Sequence, residues 1–245
     1  MRETVTLFFG VFSVMALSNA IVPVLPAFSD SPSWTGAIYA AYFLGAFIST
    51  LPAGILSDRF GPTALMRTGL ALTVAGGVVL LLSGSAPVTL AGRFAEGIGA
   101  GLFIAPAMAA VNRRTDHEKM SGYFLALLNA GLVFGLIAAG VLSTRSGLPA
   151  AGLLLFTALS VIPLIAGLVS RERPLPPSGQ DLGVSWSILL EFRWVLYSSV
   201  VLIGATGVAT ALFPDHSALP ADTAGFWIAG MSIATIVSVL LISRF

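Results

Sequence analysis

Apolar runs of about 20 residues, the length an α-helix needs to cross roughly 30 Å of hydrocarbon, recur eight times along this 245-residue chain, six of them without a single charge. They fall near 4–26, 34–56, 64–83, 88–111, 120–142, 149–169, 194–213 and 224–242. Their continuous apolar character predicts helices, because a membrane barrel strand would alternate over about ten residues. With 56% hydrophobic and 9% charged residues and a mean hydropathy of +0.95, the chain lacks the polar surface to coat a water-soluble globule. The expected fold class is therefore all-α, a polytopic membrane helix bundle whose solvent is the lipid bilayer. A net charge of +1 supplies no basic field for nucleic acid, and the absence of cysteine removes disulfides, thiolate metal sites and cysteine nucleophiles. The first run has a loose signal-peptide look, with Arg2 ahead of it and Leu17-Ser18-Asn19-Ala20 inside it. It stays apolar through Val22 and Val24 to Pro26, which makes it long enough to span.

The basic residues predict an orientation. With a cytoplasmic N-terminus, the inner side receives Arg2, Arg59, Arg67, Arg113, Arg114, Lys119, Arg171, Arg173, Arg193 and Arg244, and the outer loops receive Arg145. The expected location is the cell inner (plasma) membrane. Three regions follow: a six-helix domain over 1–170, a cytoplasmic linker over 171–193 rich in charge, proline and small residues, and two further helices over 194–245. Within the linker, Trp186 to Leu190 fits either a short surface helix or a flexible connector.

The turn after the second run reads Gly54-Ile55-Leu56-Ser57-Asp58-Arg59-Phe60-Gly61-Pro62-Thr63-Ala64-Leu65-Met66-Arg67. Its glycines suit close helix approach and a tight turn, and Pro62 suits the first turn of the next helix. Asp58 near a helix C-terminus and Arg67 near a helix N-terminus both oppose the macrodipole, so each needs a compensating partner. In the fourth run, Arg93 and Glu96 are three residues apart on one helical face, and Glu96 lies roughly 12 Å into the run at about 1.5 Å per residue. An ionisable pair at that depth is a functional candidate, with a snorkelling Arg93 and a merely structural Glu96 as the other reading. Gly97, Gly101, Ala105 and Ala109 form a small-residue stripe spaced by four, and Gly131, Gly135, Ala139 and Ser143 form another, with Gly140 beside it. Asn19, Tyr39, Tyr42 and Asn129 are polar side chains at membrane depth and are the candidates, with Glu96, for a solute path. His117 and His216 are expected in loops on opposite sides, which argues against a shared metal site, and no cofactor is indicated.

These residues carry a family resemblance. The turn from Gly54 to Arg67 resembles the loop signature G-x-L-x-D-R-x-G-x-x-x-x-R of the major facilitator superfamily, with Gly54, Leu56, Asp58, Arg59, Gly61 and Arg67 in place. The resemblance implies a cytoplasmic gate latch centred on Asp58, with Arg113 or Arg114 as a nearby partner. Arg93 to Gly99 resembles the signature R-x-x-Q-G-x-G with Glu96 in place of Gln. Gly131 to Gly140 resembles the antiporter signature G-x-x-x-G-P-x-x-G-G, with Leu136 replacing the proline and Ala139 one glycine. Pro23-Val24-Leu25-Pro26 resembles the P-x-x-P motif of the drug/proton antiporter branch.

The implied activity is alternating-access secondary transport of a small organic solute, with protons coupled through Glu96 and efflux the expected direction. Uptake of a metabolite or sugar by the same fold, and a non-transporting bundle, are the alternatives. A membrane enzyme would need a convergent nucleophile, metal or acid–base set, and the sequence offers none beyond Arg93 and Glu96. The halves of such transporters are related by internal symmetry. Matching 36–60 with 221–245 aligns Gly45 with Gly230, Ile48 with Ile233, Thr50 with Thr235, Leu56 with Leu241, Arg59 with Arg244 and Phe60 with Phe245. On this reading the chain holds a complete six-helix half and two helices of the other. Missing C-terminal helices, or another subunit, would then complete the path.

Overall fold

The computed structural model describes residues 4–29, 31–170, 191, 193–217 and 219–242; side chains at 58–60 and at several positions after 194 lie outside the described residues. Arg2, the linker from Arg171 to Leu190 and Arg244 are likewise outside them.

Among the described residues, eight helices stand where the apolar runs predict them. Helix α1 covers Val5–Ala20, opening with a π-helical turn over Val5–Phe9, and a 3-10 helix over Val22–Phe28 leaves it at a 44° bend. The bend has a covalent cause. Pro23 and Pro26 lack the N–H that would continue the α ladder, and the chain tightens so that Val24 N–H donates to the Ile21 carbonyl oxygen at 3.0 Å. The others are α2 Pro32–Phe60, α3 Pro62–Leu82, α4 Ala86–Asn112, α5 His117–Ser146, α6 Ala151–Val169, α7 Arg193–Ser217 and α8 Ala221–Ile242. Among the described residues five of these, α2 to α6, are long and apolar enough to cross a membrane, and the bent α1 pair, counted as one span, makes a sixth. Two loop assignments are corrected. His117 opens α5 and His216 lies within α7, because both helices run past the hydrocarbon-length stretch into polar turns.

The helices pack with small and hydroxylated residues inward and large apolar ones outward. On α2, Thr35, Ile38, Tyr42, Gly45, Ser49 and Ala53 are buried at helical spacing, while Phe43, Leu44, Phe47, Ile48 and Leu51 are exposed, Phe47 by 80%. Only lipid makes that arrangement favourable. Buried hydroxyls at Ser13, Ser49, Thr73 and Ser160 return their protons to a carbonyl three or four residues back, so burial leaves them satisfied.

Helix α4 runs between α2 and α3, α5 lies on α1 and α8, and α6 lies on α3 and α1. Backbone approach is close along the glycine stripes. A Cβ on Gly97 would strike the Tyr42 carbonyl oxygen, one on Gly101 the Ser49 hydroxyl, and one on Gly131 or Gly135 the carbonyl oxygens of Phe12 or Ala16. Gly140 meets the Ala221 carbonyl in the same way. Gly54 is different. A Cβ there has nothing within 4 Å, so its expected role in close helix approach does not hold in this structure. Helix α5 is continuous through Leu136, as expected without the proline of the signature.

Candidate solute site and gate end

Arg93 and Glu96 sit on one face of α4, three residues apart, and are 1% and 0% exposed. Arg93 Nη1 donates to Glu96 Oε2 at 2.7 Å and to the Ser18 carbonyl oxygen of α1 at 3.0 Å, and the guanidinium carbon stands 4.5 Å over the centre of the Tyr42 ring on α2. Three helices therefore converge on one cation. The pair is charge-neutral yet incompletely bonded: Arg93 Nε and Glu96 Oε1 are buried without a hydrogen-bond partner. The close approach of α3 reinforces the burial, since a Cβ on Gly76 would lie 2.9 Å from Glu96 Cβ.

Beside the pair is a cavity of about 270 Å³ lined from six helices. Asn19 of α1, Tyr39 and Tyr42 of α2, Arg93 of α4 and Asn129 of α5 all face it, with Thr206 and Thr210 of α7 and Met231 and Ser232 of α8 on the other wall. Four path candidates and the arginine thus share one space. Glu96 does not line it, which corrects the expectation that the carboxylate itself faces the path; Arg93 lies between the two. The α7 and α8 hydroxyls were not singled out from sequence, because threonine and serine spaced by four on a helix also read as ordinary packing. Asn19 and Asn129 each give an amide N–H to a carbonyl four residues back, Met15 at 2.9 Å and Leu125 at 2.8 Å, leaving the amide oxygens free to accept. A second, larger space of about 500 Å³ between α2 and α7 shares Tyr39, Phe43, Thr206 and Thr210 with the first.

At one end of the bundle, Gly61 joins α2 to α3 with φ 81° and ψ 149°, a conformation that favours glycine, and Pro62 takes the first position of α3. Arg67 Nε donates to the Gly167 carbonyl oxygen at 2.8 Å and Nη2 to that of Ser170, both at the C-terminal turn of α6. The macrodipole conflict of Arg67 is thereby resolved by a second helix whose end is negative. Asp58 and Arg59 have side chains outside the described residues. Arg114, one of the two suggested partners of Asp58, pairs with Asp116 at 3.1 Å, both side chains being partly exposed. Arg113 and Arg114 line a cavity of about 220 Å³ at this end with Thr6, Pro62, Thr63 and Ser170.

Comparisons with known proteins agree on the fold. Two solved transporters superpose on almost the whole chain: a bacterial homologue of the human lysosomal transporter Spinster, inward-facing and unoccupied, with a TM-score of 0.66 at 17% identity over 94% of this chain and 58% of that one, and an auto-inhibited POT family peptide transporter, 0.61 at 16% over 96% and 54%. Among curated proteins, a probable anion transporter 6, chloroplastic, of Arabidopsis thaliana is 32% identical over 127 residues, which is 50% of this chain and 25% of that protein. The quinolone resistance protein NorA of Staphylococcus aureus (strain MRSA252) is 24% identical over 141 residues, 55% and 36%. The matches thus cover between a quarter and little more than a third of those relatives. The family model described as Major Facilitator Superfamily matches residues 7–245, nearly the full length, and the chain belongs to that superfamily of membrane transporters.

Proposed function

We propose that the chain carries out secondary active transport of a small organic solute by alternating access, with protons coupled through the Arg93–Glu96 pair. The observation that carries this reading is the placement of a buried, incompletely bonded ion pair against a cavity assembled from α1, α2, α4, α5, α7 and α8. A carboxylate whose partner faces the solute can exchange a proton for an ion pair, which is the coupling such transport needs. Asp58, Arg59, Gly54, Gly61 and Arg67 form the proposed gate end, in a chain whose N-terminus faces the cytoplasm at the inner membrane. Efflux is supported by the prolines after α1, the glycine signature of α5 and the likeness to a quinolone resistance protein. Uptake is the second reading, favoured by the cation rather than the carboxylate facing the cavity. The names of the relatives divide between drug resistance and anion transport and so leave the solute open.

Solute flux in proteoliposomes, with and without an imposed proton gradient, tests the reading. Gradient-dependent flux that Glu96→Gln uncouples, with insertion and helicity intact, is the expected result. Gradient-driven accumulation that persists in Glu96→Gln returns Glu96 to a structural partner of Arg93.

A further inference from the structure

The two charges of the central pair are unequal in their access to the cavity. Arg93 lines it, while Glu96, fully buried in α4 against the backbone of Gly76, reaches it only through the arginine. The neutral groups around the pair add no compensating charge. Tyr39 and Tyr42 of α2, Ser18 and Asn19 of α1, Asn129 of α5, Thr206 and Thr210 of α7 and Ser232 of α8 face the same space, and none is charged at neutral pH. Among the described residues, a molecule entering therefore meets one formal charge, and that charge is positive. The guanidinium is also short of acceptors: Nη1 serves Glu96 and Ser18, and Nε has no partner. A planar guanidinium fork matches the two-oxygen face of a carboxylate, phosphate or sulfonate.

We infer that the solute bears an anionic group that pairs with Arg93, and that Glu96 is the internal counter-ion this group displaces. This rests on the transport reading above in its uptake direction, because a proton and a solute that load together cross together, and it names the substrate class. The remainder of the solute is small and partly apolar, since Met15, Phe43, Leu132, Leu136 and Ile228 line a space of only about 270 Å³. The charge balance is simple. With Glu96 ionised, the pair is neutral and an entering anion adds an uncompensated negative charge. Once Glu96 has taken a proton, Arg93 is left with a full positive charge that the anion neutralises. Proton and anion thus favour each other's binding and load together, by reciprocal linkage. A cation would gain nothing from Arg93 and would be repelled by it.

The test uses the full 245-residue chain in detergent and three probes that share a four-carbon phenylalkyl body: 4-phenylbutane-1-sulfonate, 4-phenylbutan-1-ol and 4-phenylbutylamine. The sulfonate stays ionised across the working range, so any pH dependence belongs to the protein. Calorimetric titration should show the sulfonate binding more tightly than the alcohol and the amine, and more tightly as pH falls. Glu96→Gln, a mimic of the protonated acid, should bind the sulfonate about tenfold more tightly at neutral pH, within the usual range of coupling between sites, and should lose the pH dependence. Arg93→Gln should lose the preference for the sulfonate. If that variant fails to fold, the wild-type pH dependence and Glu96→Gln still decide the matter. Preference for the amine or the alcohol overturns the anion assignment and leaves the transport reading intact. Equal or weaker sulfonate binding by Glu96→Gln overturns the counter-ion role. Absence of binding by all three probes overturns the inference, and if no gradient-dependent flux is found either, the transport reading falls with it.

Discussion

The Nε–H of Arg67, in the second turn of α3, donates to the carbonyl oxygen of Gly167 at 2.8 Å, so that a side chain near one helix start closes the end of another helix 100 residues away. The last carbonyls of a helix have no partner of their own, and a guanidinium is well matched to them.

Replacing Arg67 by Gln should therefore loosen the end of α6. Hydrogen bonds from a charged donor contribute about 1.5–3 kcal/mol, so the thermal unfolding midpoint of the purified protein should fall by several degrees, with Arg67→Lys recovering part of the loss. An Arg67→Gln midpoint equal to the wild type would mean that the contact adds nothing to stability.

Two glycines of similar appearance in the sequence should respond oppositely to one methyl group. Gly97→Ala drives a Cβ into the Tyr42 carbonyl and should cost about 1–3 kcal/mol, seen as lower yield and a lower unfolding midpoint. Gly54→Ala meets open space and should leave both unchanged. Equal loss in the two variants would argue against the packing described for α2 and α4.

Arg93→Met alone leaves a fully buried carboxylate without its cation and should destabilise by about 3–5 kcal/mol. Adding Glu96→Leu removes the orphaned charge, and most of that stability should return, as a double-mutant cycle in unfolding measurements would reveal. Additive losses would place the stabilising interactions of Arg93 elsewhere, with Ser18 and Tyr42.

Orientation is open to a direct assay because the chain has no native thiols. Single cysteines at Ser31 and Thr115 should react with an impermeant reagent from outside and from inside the cell, respectively. The reverse pattern would invert the topology.

Much of this was legible because bilayer physics is strict. Continuous apolar runs mark helices, because the other structure that satisfies the backbone in lipid, a closed barrel, would alternate apolar and polar residues. The proximity of Arg93 and Glu96 was equally readable, being local to one helical turn. The helix partners were not. Nothing around Arg67 points to Gly167, nothing around Arg93 points to Ser18 or to the ring of Tyr42, and the hydroxyls of Thr206 and Thr210 acquire meaning only when α7 faces α1 and α2. Asn19, Tyr39, Tyr42 and Asn129 could be nominated singly from their polarity, whereas their common cavity depends on contacts between helices far apart in the chain. Glu96 was mistaken for a lining residue because periodicity gives a helical face and not the neighbour that stands in front of it.

Helix α5 touches α1 through Gly131 and Gly135, and α8 through Gly140 on its own side and Gly225 on the other, where a Cβ would stand 2.6 Å from the Leu136 carbonyl oxygen. At these glycines the seams are carbon against carbonyl oxygen, with little directional bonding to break. Among the described residues, one hydrogen bond joins the two helices at their ends, from Asp222 N–H to Thr144 Oγ1 at 3.2 Å. For α5 to slide along α8 that bond is the directional contact that must open, while the glycine approaches beside it, being backbone against backbone, set how closely the two rails run rather than locking them.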